Sequence, residues 1–154
     1  MKLTASIALA SLTLLSFVAG CKKDDNTTTT PVAPTVYMTA KIGDSTFTAH
    51  GDTLASMSTS SSGGITITYL RGNSFAGQTI VMSIIGNIAT GTKSIGTGEA
   101  SAQFYSTGTS GSYTYATTGT ITVTETAPKV KGTFSFNCAD STAVTNGTFS
   151  VTAL

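Results

Sequence analysis

The chain predicts an all-β fold, a single antiparallel β-sandwich or flattened barrel over residues 36–154, and three observations predict it. From Val36 onward apolar residues recur with a period of two, the repeat of a strand with one buried face. Ser and Thr make up about a third of the 154 residues, Trp is absent and Gly numbers 16, a composition that disfavours helix while Thr, Val, Ile, Tyr and Phe favour strand. The last third repeats one formula: Gly119-Thr120-Ile121-Thr122-Val123, Gly132-Thr133-Phe134-Ser135-Phe136 and Gly147-Thr148-Phe149-Ser150-Val151. In each copy two apolar residues share one face and the hydroxyl residues point away, as half-buried antiparallel strands require.

Taken in order, strands are expected at 36–42, 46–50, 53–58, 65–70, 78–85, 100–106, 112–117, 119–126, 131–137 and 144–152. Turn chemistry separates them: Gly43-Asp44-Ser45, Ser62-Gly63-Gly64, Gly72-Asn73 and the glycine-rich run 91–98. Ile65, Ile67 and Tyr69 share a face, as do Ile121 and Val123. Apolar residues on both sides of 78–85 (Ile80, Met82, Ile84 against Val81, Ile85) mark it as a central strand covered on both faces. The three repeated strands form a closing meander, with turns at Pro128-Lys129 and 138–143. Asn146-Gly147 is expected as a bulge inside the last strand, since a hairpin there would leave too little to pair. The expected core is Phe47, Ile67, Met82, Phe134, Phe136, Phe149 and Val151. A domain of this size buries roughly two thirds of its unfolded surface, enough to stand without staples.

What precedes the domain predicts its address. Lys2, an apolar run over 3–19 and the small residues before Cys21 read as a signal peptide, since the run falls short of the about 20 residues a membrane span needs. Val18-Ala19-Gly20-Cys21 resembles a bacterial lipobox. That resemblance implies lipidation of the Cys21 thiol, cleavage before it and acylation of the new amino terminus, so the protein is held by its acyl chains to a membrane. Lys22 follows in place of an inner-membrane-retaining Asp, which implies the outer membrane, and Lys23-Asp24-Asp25 resembles the surface-export signal of Bacteroidota lipoproteins; a periplasmic-facing domain is the alternative. Residues 21–35, rich in Thr and Pro, read as a disordered linker.

Charge and cysteine content narrow the function. Charged residues are 10% and the net charge is +1, so no electrostatic footprint for nucleic acid is expected. With two cysteines, and Cys21 expected to carry lipid, Cys138 has no disulfide partner; a buried or half-buried structural thiol is expected over a nucleophile, since the one His, His50, is far off in sequence. The closing stretch Gly132-Thr133-Phe134-Ser135-Phe136 with Val144-Thr145-Asn146-Gly147-Thr148-Phe149-Ser150-Val151 resembles the C-terminal signature of an uncharacterised family of short Bacteroidota lipoproteins. Thr39-Ala40-Lys41-Ile42-Gly43-Asp44 and Phe47-Thr48-Ala49 resemble its first hairpin. The resemblance implies fold and location and no catalytic residue.

His50 between Asp44 and Asp52 is the one acid/base grouping, and it lacks a nucleophile or metal, so no catalytic residue, cofactor or metal is expected. Tyr113 and Tyr115 on one strand face, with Tyr105 before them, form either an aromatic platform for sugar rings or part of the core rim. Asp44-Ser45-Thr46, Asp52-Thr53-Leu54 and Asp140-Ser141-Thr142 resemble Bacteroidota O-glycosylation acceptors, which implies glycans on Ser45, Thr53 or Ser141; as turn formers these pairs also explain themselves. The expected function is a non-catalytic binding or accessory module for a glycan or a surface protein. The alternative is a structural envelope or matrix component assembling through sheet edges.

Overall fold

The computed structural model describes residues 35–107 and 111–152. The expected signal peptide, Cys21 and the expected linker up to residue 34 lie outside the described residues. Ten strands, and no helix among the described residues, form one sheet: β1 (Tyr37–Ile42), β2 (Ser45–His50), β3 (Ala55–Ser62), β4 (Ile65–Asn73), β5 (Gln78–Ile85), β6 (Gly91–Ile95), β7 (Ala100–Ser106), β8 (Tyr113–Glu125), β9 (Lys129–Cys138) and β10 (Ala143–Thr152).

The strand order is β2-β1-β10-β9-β8-β6-β7-β5-β4-β3, with β7 also pairing β8. β2 and β3 follow one another through the turn at 51–54, and β6 and β7 through 96–99. If each pair is taken as one interrupted strand, every strand pairs antiparallel with its chain neighbours, and β1 pairs with β10. The sheet thereby curls almost shut into a barrel. Backbone bonds hold the seam: Gly51 N–H donates to Val36 O (2.9 Å) and Asn73 N–H to Leu54 O (2.7 Å). A Cβ on Gly72 of β4 would lie 2.7 Å from Met38 Sδ and 3.1 Å from the Phe47 ring, so β4 leans directly on β1 and β2 across the interior. The flattened barrel, not the two-layer sandwich, is therefore the form taken.

Side chains from every strand fill that interior, among them Phe47, Met82, Phe134, Phe136, Phe149 and Val151, all buried as expected. The closing meander β8–β9–β10 is present, and the ladder slips between Val144 and Gly147, which places the bulge at Asn146-Gly147. Asn146 adopts φ 50°, a left-handed conformation that Asn tolerates.

The repeated Gly-Thr-apolar formula has a packing cause. Gly132 pairs with Phe149, Thr133 with Thr148, Phe134 with Gly147, and on the other side Gly119 pairs with Phe136. Gly132 and Gly147 each lie beneath an aromatic ring of the adjacent strand, while Gly119 lies against Ser135 O and the Cα and Cβ of Phe136. A Cβ on Gly132 would come within 2.6 Å of Phe149 Cζ, and one on Gly147 within 2.6 Å of the Phe134 ring. The formula is complementary to itself when run antiparallel, which fixes the register of β9 on β10.

Five expectations are corrected. The glycine-rich run 91–98 contains strand β6, whose only buried apolar residue, Ile95, is too sparse a signal for alternation. The two strands expected at 112–117 and 119–126 are one strand, β8, kinked by a bulge between Ala116 and Thr118. Gly72-Asn73 belongs to β4, and the turn falls at 74–77, where Gly77 N–H donates to Ser74 O (3.1 Å). In β5, Ile80, Met82 and Ile84 point inward while Val81 is half-buried and Ile85 is 50% exposed, so only one face is covered; a nearly closed barrel has no doubly covered central strand. Ile67 leaves the core list: Thr68, Leu70 and Gly72 face inward, which turns Ile65, Ile67 and Tyr69 out.

Candidate functional site

The barrel's exterior has two unlike halves. Over β2, β1, β10, β9, β8 and β6 the registers align Thr48, Thr39, Thr148, Thr133, Thr122 and Thr92 in one row of hydroxyls. Some bond each other, Thr39 to Thr148 at 2.8 Å and Thr92 to Thr122 at 2.9 Å. Such pairs stitch neighbouring strands together.

Over β3, β4, β5, β7 and the start of β8 the exterior carries aromatic and apolar side chains among Ser, Gln and Arg. Cross-strand pairing sets Tyr69 beside Ser58 and Ser83, Arg71 beside Ser56 and Val81, Val81 beside Gln103, Gln103 beside Tyr115, and Tyr105 beside Tyr113. Side chains opposite one another in a ladder lie about 5 Å apart on the same face. Accordingly the rings of Tyr105 and Tyr113 are 5.1 Å apart, tilted by 41°. Tyr113 is 42% exposed and Tyr115 66%, so this cluster belongs to the surface and not to the core rim, while Phe104, next to Tyr105 in the alternation of β7, points inward.

A depression of about 470 Å³ opens on this face, lined by Ser56, Ser58, Tyr69, Arg71, Val81, Gln103 and Tyr113. Arg71 Nε donates to Asn73 Oδ1 (3.1 Å), which also accepts from Thr79 Oγ1 (3.0 Å), so the guanidinium stem is tethered at the rim. Beyond it, Ile65, Ile67 and Ile85 continue the apolar strip, and the β4–β5 turn carries Phe75 almost wholly exposed. These large apolar side chains, gathered on the outside of a small domain, make this face the candidate site. Tyr69, Arg71, Val81 and Gln103 were missed from sequence. The available signal was that β4 carries bulky residues on both parities, of which a one-sided strand can bury only one.

Other candidates are dispersed. His50 ends β2 while Asp44 precedes its start, so the strand separates them. Asp52 Oδ1 accepts a bond from Thr152 Oγ1 (3.1 Å). Among the described residues no three His, Cys, Asp or Glu side chains group as metal ligands. Ser45, Thr53 and Ser141 are exposed, Ser45 at the start of β2 and the other two in turns. Cys138 is buried, its Sγ 3.7 Å from Thr114 O, and burial, then the nearby Asp140 charge, push its pKa up to about 11. It is a packed thiol, held largely protonated at neutral pH. No family profile, no curated protein and no solved structure matches the chain, so the face between β3 and β8 is interpreted from its own geometry.

Proposed function

We propose that this protein is a lipoprotein anchored through Cys21 in an outer membrane, with its β domain displayed outward, and that the domain binds glycans without transforming them. The observation that carries the binding reading is the cluster of half-buried Tyr105 with exposed Tyr113 and Tyr115, continuous with the Tyr69–Arg71 depression. A phenol ring offers a flat apolar face to the C–H side of a pyranose and a hydroxyl at its rim. Ser, Gln and Arg around it supply the directional bonds that a polyhydroxylated ligand needs. The separation of His50 from Asp44 supports a binding role over catalysis. Edge-mediated assembly has less support, because near-closure leaves only β2 and β3 as edges.

Affinity electrophoresis of the full chain in detergent, through gels cast with polysaccharides, tests the binding claim. Retardation of the wild type that disappears in Tyr113→Ala/Tyr115→Ala supports it; equal migration of both proteins in every gel refutes it, and retention by a surface protein instead would favour the protein-ligand version.

Anchor and modification are read together from the intact mass of the native protein. A mass beginning at Cys21 with acyl chains is expected, with hexose increments if Ser45, Thr53 or Ser141 is glycosylated. An unmodified precursor mass would sink the first, and an acylated mass without hexoses the second. Protease digestion of intact cells then decides orientation: loss of the domain while a periplasmic control survives is the expected outcome.

A further inference from the structure

We propose that the ligand of the tyrosine face is a carboxylated polysaccharide, a polymer of uronic-acid type, and that Arg71 reads its carboxylate. The inference rests on the glycan reading and names the class within it. Of the side chains lining the depression, Arg71 alone carries a charge; Ser56, Ser58, Tyr69, Val81, Gln103 and Tyr113 are neutral. Its cross-strand partners, Ser56 and Val81, offer no carboxylate, and among the described residues its side chain bonds the neutral Asn73 amide oxygen through Nε.

That bond fixes one edge of the planar guanidinium and leaves the Nη donors for another acceptor. Two parallel N–H donors in one plane match the two oxygens of a carboxylate, a geometry that a lone sugar hydroxyl does not use. Lys131 Nζ lies 2.7 Å from Glu125 Oε2, whereas Lys41 and Lys129, like Arg71, donate to neutral oxygens. In the depression the cation stands among neutral groups with aromatic walls. Tyr113 and Arg71 line the same depression, so one extended ligand can stack on the ring and present a carboxylate to the guanidinium.

The test pairs each acidic polymer with a neutral version of the same backbone: polygalacturonate, alginate and hyaluronate, each run against its methyl ester. With the full chain in detergent, at least one acid form is expected to be retained about tenfold more strongly than its ester, and added salt should erase the difference, as it does for an exposed ion pair. Arg71→Gln should bind acid and ester alike at the ester's level, and Arg71→Lys should recover only part of the preference, having a charge but no fork. Since Arg71 is exposed, its variants are expected to unfold at the wild-type denaturant midpoint, which separates recognition from folding. Equal retention of acid and ester by the wild type, or a preference that survives in Arg71→Gln, overturns the proposal. Retention of neutral polysaccharides alone overturns the acidic class and leaves the tyrosine face standing; retention of none overturns both.

Discussion

At the scale of a single residue, the Cys138 thiol and the Asp140 carboxylate two positions on titrate in opposite directions for local reasons. Burial raises the thiol to about 11 from an ordinary 9.0, with Asp140 adding to the shift. A group raised on folding stabilises the folded chain fully below its unfolded pKa, and that contribution is lost as pH climbs through the folded value. Stability measured by urea unfolding is therefore expected to fall between pH 9 and pH 11 in the wild type and to fall less in Cys138→Ala. At pH 8 the wild-type thiol should resist an aromatic disulfide reagent until denaturant is added; immediate labelling would contradict a buried thiol. Asp140 goes the other way: the Thr142 backbone amide, the Thr142 hydroxyl and the Thr114 hydroxyl favour the carboxylate and lower its pKa. What it contributes to the β9–β10 turn is present above the unfolded pKa and lost as the solution is acidified through the lower folded value.

At the scale of the element, the self-complementary Gly-Thr-apolar strands are the most specific thing the chain encodes. Gly132→Ala drives a methyl group into Thr122 O and the Phe149 ring, an overpacking expected to cost about 1–3 kcal/mol. Its neighbour Thr133→Ala, on the exposed face, should cost less than about 1 kcal/mol. Chemical denaturation of the two variants decides the matter, and equal destabilisation would contradict the ring-over-glycine account. The repeat, the meander and the Asn146-Gly147 bulge were legible in sequence because each is written in short-range patterns. β6 was not, since a strand with one buried apolar residue is indistinguishable from a loop until its partner, residues 119–123 of β8, is known. The inward face of β4 was also illegible. Alternation says that Ile65, Ile67 and Tyr69 lie together, yet which parity faces inward is set by Gly72 meeting Met38 and Phe47, a long-range contact.

At the scale of the whole molecule, near-closure of the sheet removes most exposed edges and divides the exterior between a threonine half and a tyrosine half. The candidate site was half legible. Tyr105, Tyr113 and Tyr115 could be picked out as a platform from their spacing, but the core or its rim was the favoured use for them until the barrel placed β8 beside β7 with those rings outward. Arg71 and Gln103 could not be picked out, because they join the tyrosines only through pairings between strands distant in the chain. The same distribution supplies a direct optical readout. The chain has no Trp and five Tyr, and four of those, Tyr69, Tyr105, Tyr113 and Tyr115, lie on this one face, with Tyr37 at the start of β1 as the fifth. Intrinsic emission thus reports the face itself. Titrating polysaccharides into the full chain while following tyrosine fluorescence is the measurement that bears most directly on the account. It predicts a saturable change in emission that is abolished in Tyr113→Ala/Tyr115→Ala; emission unmoved by every polysaccharide, or an identical response in the variant, would contradict it.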